Sequence, residues 1–457
     1  MQLATLHEYQ HNPLLLFPAK MCLATPGHQF SALQDRSSMM KLSRFGLRYT
    51  GRSGIVELMA DLGSALRQNP AMLMMGGGTP ARIPAVENIF RQHLQTIIND
   101  PELSYGMLGR YQGPHGDVDV RSLLAAMLQS EYGWPLTAAN IVVTNGGQSA
   151  FAILANMLAG EGSDGQKRKL HFPLTPEYLG YGDTGLTEDF FSASKPEIEL
   201  LADNLFKYRV DFSGLQVGED IAALCVSRPT NPSGNVLTDG EVRQLDALAR
   251  KRNIPLILDA AYGSPFPGIE FTDATPYWSD NVILLCSLSK LGLPGTRSGF
   301  LICSEAFAEA FSRVNTILNL ASGNTGVALA TSLLQSGDLL HISRNILQPW
   351  YLEKKNLAVA CLRTALGNLP YHIHKPEGAF FLWLWLPGLP VSCAELYERL
   401  KAAGVLVIPG HSSFPGLQEA WQHTQECIRI SYAVDPATII NGSALLGRVV
   451  KQIYDHA

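Results

Sequence analysis

The feature that most constrains how this chain folds is a series of short, almost wholly apolar runs. They are IVVTN (141–145), LHFPL (170–174), AALCVSRP (222–229), IPLILD (254–259), VILLCSLSK (282–290) and GFLIC (299–303). Turn residues or helical stretches separate them. A strand that is apolar on both faces needs cover on both faces, so the series predicts a mostly parallel sheet between layers of helices. Ligands of such sheets bind beyond the carboxyl ends of the strands. Asn231, Asp259 and Lys290 each lie just past the end of a run, so one site can collect all three. The texture changes after about residue 304. Helical patterns over 304–320, 325–335 and 338–367 lead to the strand-like strings PYHIHKP, GAFFLWLWL, GVLVIPG and CIRISYA, with helices near 392–403 and 436–455. This second pattern predicts a smaller α/β domain.

Length agrees, because 457 residues exceed what one ordinary core holds. Charged residues make up only 16% of the chain and the net charge is −5, with no long run of one sign. That balance argues against a nucleic-acid partner or a polybasic membrane patch. No apolar stretch approaches the roughly 18 residues a membrane helix needs. The seven cysteines, Cys22, Cys225, Cys286, Cys303, Cys361, Cys393 and Cys427, form no C-x-x-C pair. They read as free thiols in a reducing compartment, neither a disulfide framework nor a metal site. Residues 1–39 fit none of the later patterns, and Met39-Met40-Lys41 resembles a start, so 1–39 are expected to be an extension or a translation-start artefact.

The chemistry concentrates in SLSKLGLPGTRSGF, Ser287 to Phe300. A buried strand that ends there and turns sharply sets the Lys290 amine beside two hydroxyls and the Arg297 guanidinium. An amine that is desolvated and close to another cation loses its proton more readily and attacks carbonyls. Ser287, Ser289 and Arg297 suit a phosphate. A carbonyl-reactive lysine next to a phosphate cradle is what pyridoxal phosphate requires. Elsewhere, Gly146-Gly147 joins a strand to the helical stretch Gln148–Leu158, a geometry that offers free N–H groups to an anion. AMLMMGGGTP ends in three glycines that permit a backbone to approach a ligand. Upstream of it, Ile55, Leu58, Met59, Leu62 and Leu66 repeat at helical spacing within an amphipathic stretch over 42–66. Tyr111 opens a Gly/Pro-rich loop, and two tyrosines follow in TPEYLGY.

The strings LGRYQGPHG, TNGGQSAF, FPLTPEYLGY, CVSRPTNPSGNV, SLSKLGLPG, HKPEGAFFLWLWLPGLP and VIPGHSSFPGL, in this order and spacing, resemble the fold-type I pyridoxal-phosphate aminotransferases. The resemblance runs from about Met40 to the C-terminus, and within that family the chain looks like the valine–pyruvate aminotransferases. It implies a mostly parallel seven-stranded sheet in a large domain (86–330), a smaller α/β C-terminal domain (331–457), and an N-terminal segment (40–85) packed on the small domain and the active site.

The resemblance also implies residue roles. Lys290 is the Schiff-base lysine and proton carrier. Asp259 pairs with the pyridine nitrogen, and Asn231 and Tyr262 donate to the phenolic oxygen. Tyr178 stacks on the ring. Gly147, Gln148, Ser287, Ser289 and Arg297 cradle the phosphate, although Gly147 stands where many relatives carry a hydroxyl. Arg429 grips the substrate carboxylate, aided by Asn231 and by Gly77 or Gly78. Tyr111 reaches the cofactor of a neighbouring subunit, which makes the unit a cytoplasmic homodimer. The implied reaction moves the amino group of L-valine to pyruvate. β-Elimination on the same cofactor and transamination of other neutral or aromatic amino acids are the rival reactions. A pyridoxal-phosphate-sensing regulator is the rival class, and residues 1–39 carry no helix-turn-helix or basic pattern for one.

Overall fold

The computed structural model describes residues 41–51 and 53–456, so the expected extension 1–39 and Cys22 lie outside the described residues. The chain divides into two compact units at Gly51/Arg52. The described part of the first holds one short helix, Arg44–Tyr49, capped by Ser43, whose Oγ accepts from the Gly46 N–H at 3.2 Å. Everything that follows belongs to the second unit.

Its centre is an eight-stranded sheet. Four pairings are parallel: Val282–Ser287 with Leu256–Asp259, that strand with Ile221–Ser227, Ile221–Ser227 with Lys167–Phe172, and Lys167–Phe172 with Phe191–Ala193. Gly299–Ile302 runs antiparallel to both Val282–Ser287 and Ile141–Thr144. Six of these strands are the apolar runs read from the sequence, Phe191–Ala193 makes the seventh that the resemblance implies, and the two-residue Gly160–Glu161 strand adds an eighth at the edge.

The apolar runs are buried on both faces, as their composition requires. Leu224, Val226, Leu256, Leu258, Val282 and Leu284 belong to the core on one side of the sheet. Their neighbours Ala223, Cys225, Ile257, Ile283 and Leu285 belong to the core on the other. Helices Gly147–Leu158 and Glu305–Asn319 cover the second face through Phe151, Leu154, Ala308 and Phe311. Helices Val118–Tyr132 and Asp239–Lys251 contribute Leu124, Leu128, Val242 and Leu245 to the first. Thr238 caps the latter helix in a reciprocal capping box with Glu241. The three parallel strands that matter most end side by side at Ser227, Asp259 and Ser287, with Ser227 and Asp259 opposite each other in register.

The second sheet has six strands. Ile408–Pro409, Cys427–Ser431, Phe381–Trp385 and His372–His374 come from the expected C-terminal domain. The other two are the hairpin Glu197–Leu201 and Leu205–Arg209, which pairs in parallel with His372–His374. A boundary at residue 330 therefore does not separate the two sheets. A buried bond between Lys207 and Glu377 ties the hairpin to its new neighbours. Leu73–Met74 pairs in parallel with Val405–Leu406, so the segment 53–85 meets a strand of the C-terminal part.

The amphipathic stretch expected over 42–66 is not one helix: Arg44–Tyr49 forms one and Gly54–Gln68 another. The helical pattern over 338–367 contains a wider turn at Ile342–Leu347 before the regular helix Gln348–Leu366. Among the described residues no helix is long and apolar enough to cross a membrane. The six described cysteines are free, five of them buried.

Candidate active site

Past the carboxyl ends of the central strands lies a cavity of about 240 Å³. Twelve of the residues picked from sequence line it: Gly78, Gly147, Gln148, Tyr178, Asn231, Asp259, Tyr262, Ser287, Ser289, Lys290, Arg297 and Arg429. Two do not. Gly77 lies beside the wall, where Gly76 and Gly78 present their carbonyls instead. Tyr111 is 81% exposed and outside the cavity.

Lys290 follows the Val282–Ser287 strand and donates from Nζ to the Gly78 carbonyl at 2.5 Å. Its amine faces the rings of Tyr262 and Phe380, at 5.3 and 5.6 Å from their centroids. Burial, then the Arg429 and Arg297 charges, lower its pKa to about 8 against the opposing pull of Asp259. Asp259 ends the neighbouring strand. It accepts from the Tyr181 hydroxyl and, at 2.8 Å, from the Ala261 N–H. Burial raises its pKa, and those two donors together with Lys290 oppose the rise.

Arg429 comes from the second sheet and is 3% exposed. It donates to Asn231 Oδ1 at 2.6 Å and to the Gly76 carbonyl at 2.8 Å, and it lies over Phe381 at 4.1 Å. Its Nε has no partner among the described residues, and no carboxylate pairs with it. Burial pulls its pKa down to about 10. An uncompensated buried guanidinium with a free N–H is built for an anion that arrives from outside.

At the far end of the cavity the helix Gly147–Leu158 begins with no side-chain cap. Gly146, at φ 84°, leaves room for Arg297, whose Nη2 would sit 2.6 Å from a Cβ at that position. Arg297 donates weakly to Ser289 Oγ and to the Asn145 carbonyl, both at 3.5 Å. The Gln148 amide is committed to the Gly180 carbonyl at 3.1 Å, which leaves the backbone N–H of Gln148 for a ligand. Uncapped N–H groups, two serines and a loosely held guanidinium form an anion cradle.

The family model described as aminotransferase class I and II matches residues 206–442. The valine–pyruvate aminotransferase of Escherichia coli K12 is 45% identical over 415 residues, which covers 91% of this chain and 99% of that protein. A putative amino-acid aminotransferase of Psychrobacter arcticum superposes with a TM-score of 0.89 at 42% identity, covering 92% of this chain and all of the other. The valine–pyruvate aminotransferase of Salmonella typhimurium LT2 does so with a TM-score of 0.81 at 43% identity, covering 87% of this chain and all of the other. The chain belongs to the class I and II aminotransferases.

Aminotransferases of this class depend on pyridoxal 5′-phosphate. The cavity fits that group on its own geometry, with an anion cradle at one end, a carboxylate at Asp259 and a depressed amine between them. Three further features of this aminotransferase were not picked out from the sequence. Tyr181 bonds Asp259 and stacks on Phe151 at 3.9 Å. Ser227 lines the cavity beside it. The helix Gly54–Gln68 turns Ile55, Leu58, Met59 and Leu62 onto the site as an apolar wall. Their helical spacing was visible in the sequence, but their destination was not.

Proposed function

We propose that this aminotransferase transfers the amino group of L-valine to pyruvate, releasing 2-oxoisovalerate and then L-alanine in a ping-pong cycle. One observation carries the reading: a buried, carboxylate-free Arg429 and the depressed amine of Lys290 share one cavity with an apolar wall. An α-carboxylate suits the guanidinium, and a branched aliphatic side chain suits Ile55, Leu58, Met59 and Leu62. The names of the Escherichia coli and Salmonella relatives support the same pair of substrates.

When bound, pyridoxal phosphate supplies an electron sink for the bond broken at the substrate Cα. The residues of this chain do the rest. Ser287, Ser289, Arg297 and the N–H groups at Gly147 and Gln148 hold the phosphate. Tyr178 packs on the ring, and Asn231 and Tyr262 donate to its phenolic oxygen. Asp259 keeps the proton on the ring nitrogen. Lys290 anchors the group and, once free, carries the proton from Cα, since an amine with a pKa near 8 both takes and returns one near neutral pH. Arg429 and Asn231 orient the carboxylate beside Gly78.

The active unit is a homodimer in this reading, with Tyr111 entering the partner's site. Tyr111 stands among exposed Leu103, Tyr105 and Leu108, and Ile317 is 82% exposed on the segment that Asn324 ties to the Arg110 carbonyl at 2.6 Å. So much apolar surface in one region suits a second copy. The cytoplasm is the proposed compartment, in keeping with the six free thiols among the described residues.

The test is the visible spectrum of the purified holoenzyme. The yellow absorbance should bleach with L-valine and return with pyruvate. A spectrum that ignores valine but answers another amino acid would retain the class and reject the substrate. Ammonia released with no acceptor present would favour elimination.

A further inference from the structure

Behind Asp259 lies a second carboxyl group that the reaction above does not use. Glu177 precedes Tyr178 and is fully buried, at 0% exposure. No lysine, arginine or histidine pairs with it among the described residues. Ser227 holds both of its oxygens, the N–H donating to Oε1 at 2.8 Å and the hydroxyl meeting Oε2. The Ser227 hydroxyl also lies 3.4 Å from the Tyr181 hydroxyl, which bonds Asp259 Oδ2. Glu177, Ser227, Tyr181 and Asp259 thus form one chain of oxygens that ends at the cavity.

The direction of the donors along this chain depends on Glu177. If Glu177 is ionised, the serine must donate to it, and the Ser227–Tyr181 link loses its hydrogen. Two carboxylates then share a buried pocket with no cation beside Glu177, an arrangement that low-dielectric surroundings penalise. If Glu177 is neutral, its acid proton goes to Ser227, the serine proton to Tyr181 and the tyrosine proton to Asp259. Every donor then points at Asp259, and the one negative charge sits where the ring nitrogen needs it.

We propose that Glu177 works as a neutral acid, a positioning residue whose proton orders the relay through Ser227 and Tyr181 and so keeps Asp259 ionised for the cofactor's ring nitrogen. The proposal rests on the assignment of Asp259 made above. Burial supports it independently, pushing the Glu177 carboxyl up to about 8, with the Asp259 charge adding to the rise and the Ser227 bonds opposing it. The other titratable groups around it are Tyr178, Tyr181 and Cys225, whose pKa values burial raises, so none of them supplies a charge near neutral pH.

The first readout is stability without substrate. The folded state holds the Glu177 proton up to about pH 8, whereas the unfolded chain releases it near the ordinary glutamate value. Folded protein therefore binds more protons between those two points, and stability falls as pH rises through that window. Glu177→Gln has no proton to lose. The Tm of wild type minus that of Glu177→Gln should decline from about pH 5 to pH 8 and level off above. A flat difference overturns the proposal.

The second readout is cofactor affinity, from absorbance titration of apoenzyme. Glu177→Ala and Ser227→Ala each break the relay and should weaken cofactor binding about tenfold, and Glu177→Gln should recover most of the Glu177→Ala loss because an amide still donates to Ser227. Ser227→Ala removes one hydroxyl and keeps the Glu177 pocket filled, so it serves if Glu177→Ala fails to fold. Wild-type affinity in Ser227→Ala overturns the relay while leaving the role of Asp259 intact. Asp259→Asn is the control. If it too binds cofactor as wild type does, the assignment of Asp259 is wrong and the relay falls with it.

Discussion

Replacing Arg429 by lysine keeps the charge and removes the fork, and the structure sets the size of the effect. The guanidinium is pinned by two bonds, to Asn231 at 2.6 Å and to the Gly76 carbonyl at 2.8 Å, and its Nε is left over. Pinned in this way, it presents a planar pair of N–H groups to a carboxylate without further ordering. A lysine ammonium has three donors on one atom. It cannot keep both protein partners and still offer two parallel bonds to the substrate. One charge-assisted bond is lost, worth about 1.5–3 kcal/mol, which corresponds to about 10- to 150-fold in kcat/KM. Both half-reactions use a carboxylate, so the fall should be similar for L-valine and for pyruvate. Cofactor affinity should change less than about threefold, because the bonds of Arg429 go to Asn231 and Gly76 and to none of the phosphate-cradle residues. Stopped-flow absorbance of each half-reaction, with a cofactor titration, measures all three quantities. A fall confined to one substrate, or a loss of cofactor affinity as large as the loss of kcat/KM, refutes the reasoning.

Three other substitutions probe different parts of the site. Lys290→Ala should abolish turnover, and borohydride reduction followed by peptide mass analysis should find the cofactor mass on the Lys290 peptide of wild type alone; turnover near wild type would reject the assignment. Arg82, whose side chain is 88% exposed and pairs with Glu87 at 2.7 Å, lies outside the main cavity. Arg82→Ala should leave valine turnover within about twofold, as expected for an exposed ion pair, and a tenfold loss would mean that Arg82 touches substrate. Tyr111→Ala should weaken cofactor binding about tenfold if its hydroxyl reaches the partner's phosphate, and light scattering should still report a dimer. A monomeric wild type would remove the basis for that role.

What could be read from the sequence was whatever is local along the chain. Lys290, Ser287, Ser289 and Arg297 lie within ten residues of a single strand end, so a short string displays them together. Asp259 and Asn231 follow apolar runs whose parallel pairing aligns their ends, and Arg429 stood out as a charge within an apolar strand. The hairpin 197–209 was also local but went unread: EIELL and LFKYR flank a turn in which Asp203 and Asn204 take positive φ. Its address was not local, since it pairs with a strand more than 160 residues away. The same limit hid the second layer of the site. Tyr181 meets Asp259 across 78 positions, and Glu177 meets Ser227 across 50. The apolar face of Gly54–Gln68 had the right period for core packing, and period alone does not say whether a face meets core or ligand.

The charges of the site explain one another. Lys290, Arg297 and Arg429 face a cavity whose only lining carboxylate among the described residues is Asp259. Three cations set around a single carboxylate, with Arg429 buried among them, cost stability, so a sequence kept only for stability would lose such cations. They make sense as half of several ion pairs whose other halves arrive with the ligands, a phosphate for Arg297 and an α-carboxylate for Arg429. Burial, helped by the Arg429 and Arg297 charges, draws the Lys290 pKa down to about 8, which readies the amine for carbonyl chemistry. The arrangement then places a demand on Glu177. A second ionised carboxylate behind Asp259 would push the Asp259 pKa further up, and Asp259 would tend to take a proton itself instead of leaving it on the ring nitrogen. Three cations toward the ligand, one carboxylate beneath the ring and a neutral acid behind that carboxylate form a consistent set, and an ionised Glu177 would break it.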